Sequence, residues 1–168
     1  MTFEEFAQTR RQAVLAFATV LAGQRATAED LVQEVLLRAH DRWDKISAMD
    51  RPDLYVRKMV VNEFLTWRRR SWRLVPAEIS PAAATTPDHG AGLAEHLALL
   101  GEIAKLPRRQ RAVLALRYYE DRTDAEIAEI LGCAPGSVRA YASRALATLR
   151  VELRPDLEPI MESRAGEA

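Results

Sequence analysis

The side chains in this sequence best suited to chemistry are arginines placed where few acids can neutralise them. Between Ala134 and Arg150 the chain carries Arg139, Tyr141, Ser143 and Arg144 on one helical face, and no Asp or Glu. Guanidinium groups without neighbouring carboxylates suit phosphate oxygens and the hydrogen-bonding edge of guanine, so the chemistry indicated is non-covalent recognition of nucleic acid. A second concentration lies between Arg51 and Arg73. There Arg51, Arg57, Lys58, Arg68, Arg69, Arg70 and Arg73 stand against only Asp53 and Glu63, with Trp67 and Trp72 among them. Aromatic rings beside cations can stack unpaired bases while the cations follow the phosphates. The competing reading of both stretches is a solvated basic helix face, with the tryptophans packed into a core.

Catalysis finds no support in the residues. No nucleophile is paired with a base, no glycine-rich loop could cradle a phosphate, and His40, His89 and His96 have no ligand spacing between them. A single cysteine, Cys133, excludes an internal disulfide and a Cys-rich zinc site. Neither an enzyme, a metal nor a cofactor is therefore expected. Lys and Arg number 24 and Asp and Glu also 24, a formal charge of zero. A free-standing DNA binder usually has a basic excess, so the contact is local or another protein supplies much of it. The acids gather between Glu29 and Asp44 and again after Val151. Glu4, Glu5, Arg10 and Arg11 interrupt the first residues where a signal peptide needs an unbroken apolar run, and no stretch is apolar enough to cross a bilayer. A cytoplasmic protein with no membrane insertion is expected.

The elements that must position these residues all read as helices. Thr123 and Glu126 form a capping box that opens a helix at Asp124, with Ile127, Ile130 and Leu131 inward. Gly132 ends it and Pro135 opens the next, which buries Val138, Ala142, Ala145 and Leu149. Small residues at Ala125, Ala128, Ala142 and Ala145 let the two cross closely, as a helix-turn-helix requires; the plainer alternative is an αα-hairpin. Upstream, Thr2 and Glu5 cap a helix to about Ala22, ended by Gly23, and Thr27 with Asp30 opens another through about Trp43 with Leu31, Val35 and Leu36 inward. A loop from Lys45 to Arg51 precedes a helix from Pro52 to about Arg70, with Leu54, Val56, Met59, Val60 and Phe64 inward. Ser71 to Gly92, rich in proline and without periodicity, reads as a flexible linker. Helical spacing resumes at Leu93, stops before Pro107 and continues to about Glu120, and the last residues of the tail are expected to be disordered. The expected fold is all-α: two small helical domains, 1–70 and 93–153, joined by a linker over 71–92 and followed by an acidic tail over 154–168.

Three segments in this order, AEDLVQEVLLRA from Ala28, LYVRKMVVNEFLTWRRR from Leu54 and LPRRQRAVLALRYYEDRTDAEIAEILGCAPGSVRAYASRALATLR from Leu106, resemble the sigma factors of bacterial RNA polymerase. Within the sigma-70 family they are most similar to the extracytoplasmic function group, and to its actinobacterial sigma-E-like members. The resemblance implies a non-enzymatic initiation factor that recruits the polymerase core to promoters and helps open the strands. It places Asp30, Gln33 and Glu34 against the clamp coiled coil of the largest subunit, and the second domain against the β flap. It assigns Arg57, Lys58, Asn62, Trp67, Arg68, Arg69 and Arg70 to the melted minus 10 element. Arg117, Ser137, Arg139, Ala140, Tyr141, Ser143 and Arg144 fall to the duplex minus 35 element, and an anti-sigma factor is a further partner the family implies. Family members commonly have a polar residue where Ala140 stands, which leaves Arg139 and Arg144 as the principal base readers. The rival reading, a stand-alone helix-turn-helix regulator, would need a ligand pocket or dimer seam where the basic and aromatic patch lies.

Overall fold

The computed structural model describes residues 1–66 and 90–152, with side chains in the second stretch from 98 to 150. Every regular element among the described residues is helical, and the chain divides into two compact units, Met1–Thr86 and Pro87–Ala168.

The first unit begins with α1 (Phe3–Ala22). Thr2 accepts a hydrogen bond from the Glu5 N–H and the Glu5 carboxylate accepts from the Thr2 N–H, while Gly23 closes the helix in the left-handed region at φ 76°. Such a capping arrangement stabilises a helix end by about 1 kcal/mol. Gly23 leads directly to an extended Gln24, and α2 (Arg25–His40) starts there, ahead of Thr27. The expected capping box therefore does not form: Thr27 lies inside the first turn, where its hydroxyl donates to the Gln24 side-chain oxygen at 3.4 Å. The helix also stops earlier than the spacing predicts. Arg42 leaves the helical backbone region, and a separate turn, α3 (Trp43–Ser47), occupies part of the expected loop. It carries Trp43 and Ile46 into the core, where the Trp43 ring meets Phe3 and Phe6 at centroid distances of 5.5 and 4.8 Å and its Nε1 donates to the Met1 carbonyl. α4 (Pro52–Thr66) completes the bundle. Val56, Val60 and Phe64 are buried as the spacing predicts, joined by Val61, whereas Leu54 and Met59 are half-buried. The four buried apolar residues of α4 share the core with Phe6, Phe17 and Leu21 of α1 and Leu31 and Val35 of α2. The expected continuation of α4 to Arg70, the Ser71 to Gly92 linker apart from its last three residues, and the acidic tail lie outside the described residues.

In the second unit α5 (Gly90–Lys105) begins three residues before the expected Leu93. α6 (Arg108–Leu114) continues as a π-helical turn, Ala115–Tyr119, closed by the Glu120 N–H donating to the Ala115 carbonyl at 3.1 Å. The wider turn is a local departure that a period of 3.6 cannot reveal. After Asp121, at φ 50°, Thr123 and Glu126 cap α7 (Asp124–Leu131) reciprocally, and Gly132 ends it at φ 63°. α8 (Pro135–Glu152) follows, with Val138, Ala142, Ala145 and Leu149 all buried. Leu149 and Ala145 meet Leu106 and Leu114, with Ile103, Tyr118 and Leu146 packed around them. Ala128, Ala142 and Ala145 sit in the core as expected, but Ala125 faces solvent and plays no part in the crossing.

Candidate nucleic-acid interface

α8 presents its cations outward. Arg139, Ser143 and Arg144 are exposed, and Ser137, Ala140 and Tyr141 half-buried beside them. The Arg139 guanidinium lies back along the first turn of the helix, where a Cβ at Gly136 would stand 3.9 Å from its Nη2. With its apolar stripe committed to the core and no acid from Pro135 to Arg150, this helix is free to offer that face to a major groove.

The cations that precede α8 are used differently. Arg117 forms an ion pair with Asp124 at the start of α7, its Nε donating to the same carboxylate oxygen at 3.2 Å, and the two side chains are only 20% and 16% exposed. Burial works against the Arg117 charge, but the hydrogen bond and charge of Asp124, aided by Tyr118, outweigh it and raise its pKa. The guanidinium, expected at the promoter, is engaged across the loop that leads into α7. Arg122 stands 3.6 Å from Glu126 and 3.9 Å from Glu120. Arg111 donates to the carbonyls of Ala104 and Leu106, capping the end of α5. Burial first, and then the charge of Arg108, push its pKa down to about 10, so it remains a cation at neutral pH.

On α4 the expected set also divides. Asn62 is exposed and Lys58 half-buried, but Arg57 is 8% exposed and pairs with Asp53, Nη1 to Oδ2 at 3.5 Å, one turn earlier. Arg57 thus does not stand on the surface as a strand contact would require. The physical reason is the i, i+4 acid, which meets the guanidinium on the helix. Trp67, Arg68, Arg69 and Arg70 lie outside the described residues.

Asp30, Gln33 and Glu34 are all exposed on α2, and Asp30 and Gln33, but not Glu34, line an open groove of about 710 Å³ between α1 and α2. Phe3, Arg11, Leu36 and Leu37 line it as well. Leu37, 60% exposed, and Arg11 were not apparent as site residues from spacing. The signal for Leu37 was the run Val35-Leu36-Leu37, since one helix face cannot bury three consecutive side chains. Among the described residues no group of His, Cys, Asp and Glu could hold a metal ion, and no helix is long and apolar enough to cross a membrane.

A helix-turn-helix whose second helix exposes arginines with no acid before Arg150, in a chain whose other unit exposes Glu29, Asp30 and Glu34 on α2, fits a DNA-binding protein that works with another protein. The sigma-70 region 2 family model matches residues 6–74 and the sigma-70 region 4 model residues 96–149. The RNA polymerase sigma-E factor of Streptomyces avermitilis is 37% identical, covering 91% of this chain and 86% of that protein, and that of Streptomyces coelicolor is 35% identical over the same shares. The ECF RNA polymerase sigma factor SigL of Mycobacterium tuberculosis is 32% identical, covering 82% and 81%. In fold, the chain is similar to the sigma factor RpoE of Bartonella quintana, solved with the anti-sigma factor NepR, at a TM-score of 0.64 and 22% identity over 88% of this chain and 94% of that one. The chain belongs to the extracytoplasmic function sigma factors of the sigma-70 family. It is a non-enzymatic factor that binds RNA polymerase core and promoter DNA and directs the one to the other.

Proposed function

We propose a division of labour among the three surfaces. The α2 face of Asp30, Gln33 and Glu34, with Leu37 beside it, docks on the clamp coiled coil of the largest polymerase subunit. The second unit is held near the β flap. Lys58 and Asn62 of α4, with Trp67, Arg68, Arg69 and Arg70 beyond it, hold the melted minus 10 strand. Ser137, Arg139, Ala140, Tyr141, Ser143 and Arg144 face the duplex minus 35 element, Arg139 and Arg144 reading base edges. Arg57 and Arg117 support these surfaces from inside. The working domains are 1–70 and 93–153, spaced by 71–92, with 154–168 as a tail, and the protein acts in the cytoplasm beside its polymerase. An anti-sigma factor that covers the docking face would silence it.

Strand opening then needs no covalent step. Captured bases contribute roughly 1 to 3 kcal/mol each by stacking, against about 1.4 kcal/mol for each base-pair step lost, so a few of them offset local melting. The observation that carries this reading is the segregation of charge: acids exposed on α2 and none on α8 from Pro135 to Arg150. A protein with zero net charge gains little from phosphate attraction alone. A basic clamp would cover the acids and hold the readers at promoter spacing, raising their effective concentration. We therefore expect micromolar or weaker binding of promoter duplex by the protein alone at physiological salt, and tight, sequence-specific binding once core polymerase is added. A titration of labelled promoter at one fixed salt concentration tests this. Nanomolar specific binding by the protein alone would refute it.

A further inference from the structure

Between α2 and α4 one arginine holds two acids. Arg38 pairs with Glu34 one turn earlier on its own helix, Nε to Oε1 at 3.5 Å, and through Nη2 with Glu63 across the helix interface. The Glu63 side chain is only 18% exposed, against 45% for Arg38, so water screens the carboxylate poorly. Glu63 directly follows the exposed Asn62, on the helix read above as the strand holder. An acid there is a liability, because every nucleotide of a captured strand brings a phosphate and like charges repel within the roughly 8 Å over which salt fails to screen them.

We propose that Arg38 is a positioning residue for promoter capture: it neutralises Glu63 from the neighbouring helix and so lets a single DNA strand approach Asn62. This rests on the minus 10 reading of α4. It differs from a mechanical cross-link in what it predicts for the acid. If the pair were a strut, removing either partner would loosen α2 from α4 and harm capture equally. As a charge shield, only loss of the cation harms it, since removing Glu63 removes the repulsion as well.

The experiment uses polymerase holoenzyme reconstituted with the parent chain, Arg38→Gln, Glu63→Gln and the double variant. Each is titrated onto a fork template with a single-stranded minus 10 element, and thermal melts of each free protein monitor folding. R38Q should weaken fork binding about 3- to 10-fold at low salt, with the deficit shrinking as salt rises. E63Q should bind within about 2-fold of the parent or better, and the double variant should recover to the same range. Losses of 3-fold or more in E63Q, or a double variant no better than R38Q, would overturn the shield, as would an unimpaired R38Q. Should R38Q melt below the assay temperature, E63Q alone decides, because a strut loses binding there and a shield does not. Failure of the parent holoenzyme to prefer fork over closed template would instead strike the underlying minus 10 reading.

Discussion

On α8, Arg139 and Arg144 are exposed in a stretch, Pro135 to Arg150, without a carboxylate; on α4, Arg57 follows Asp53 by one turn and is buried beside it. The contrast repeats inside the second unit, where Arg111 is taken up by backbone carbonyls and Arg117 by Asp124. A cation already engaged by an acid or carbonyl of its own chain must give up that partner before it can read DNA. Counting arginines in a basic stretch therefore overstates the reading surface, and their distance from acids, one helical turn away or across a loop, sorts presenters from supporters. Inward arginines should fail in stability when removed, outward ones in recognition.

The largest effect should come from Arg111. Its guanidinium satisfies the carbonyls of Ala104 and Leu106, and Arg111→Ala would leave these part-buried acceptors without that donor. Charge-assisted hydrogen bonds of this kind contribute about 1.5 to 3 kcal/mol, and carbonyls only partly buried can turn to water once the arginine is gone, so we expect a loss of about 1.5 to 3 kcal/mol. Denaturant unfolding would report it. If the variant kept parental stability and lost promoter discrimination, Arg111 would belong with the presenters and the division would break.

Arg144→Ala should behave in the opposite way. Exposed on α8 and away from the core stripe, it should leave stability within about 0.5 kcal/mol of the parent. Holoenzyme carrying it should lose about 1 to 3 kcal/mol of discrimination at one minus 35 position, the worth of a guanidinium bidentate to guanine. Competition between the preferred duplex and single-base variants measures this. Unchanged discrimination at every position would remove Arg144 from the readers.

The elements that were legible from residue types alone are those whose signals are local. Thr2 with Glu5 and Thr123 with Glu126 cap the helices they announce, Gly23 and Gly132 end theirs, and the stripe from Val138 to Leu149 is buried throughout. Thr27 fails for an equally local reason, since the chain leaving Gly23 is already extended at Gln24 and the helix begins before the threonine arrives. Trp43 and the π turn are tertiary outcomes: one ring finds Phe3, Phe6 and the Met1 carbonyl some forty residues away, and the other is a change of helical pitch. At the site, the burial of Arg57 was readable from Asp53 at i−4. Arg117 and Asp124 are seven residues apart across a loop, a spacing that no helical rule pairs.

That last pair provides the sharpest test, because resemblance assigns Arg117 to the promoter while the structure engages it with Asp124. The guanidinium joins the π turn after α6 to the first turn of α7, and an acid at that end of α7 also suits the helix dipole. Arg117→Ala should cost about 1 kcal/mol of stability, toward the low end for a hydrogen-bonded ion pair because about a fifth of each side chain still meets water. A raised pKa on a base means stability that is present below the unfolded value and lost only as pH climbs through the folded one. Both lie above any working pH, so the Arg117 charge contributes a pH-independent difference, and parent and variant should melt the same number of degrees apart at pH 6 and pH 9. Discrimination between minus 35 sequences should survive, since the reading arginines on α8 are untouched. A variant that folds as stably as the parent yet loses affinity uniformly across sequences would show Arg117 leaving Asp124 for a phosphate, and the line between inward and outward arginines would then be drawn by the DNA rather than by the fold.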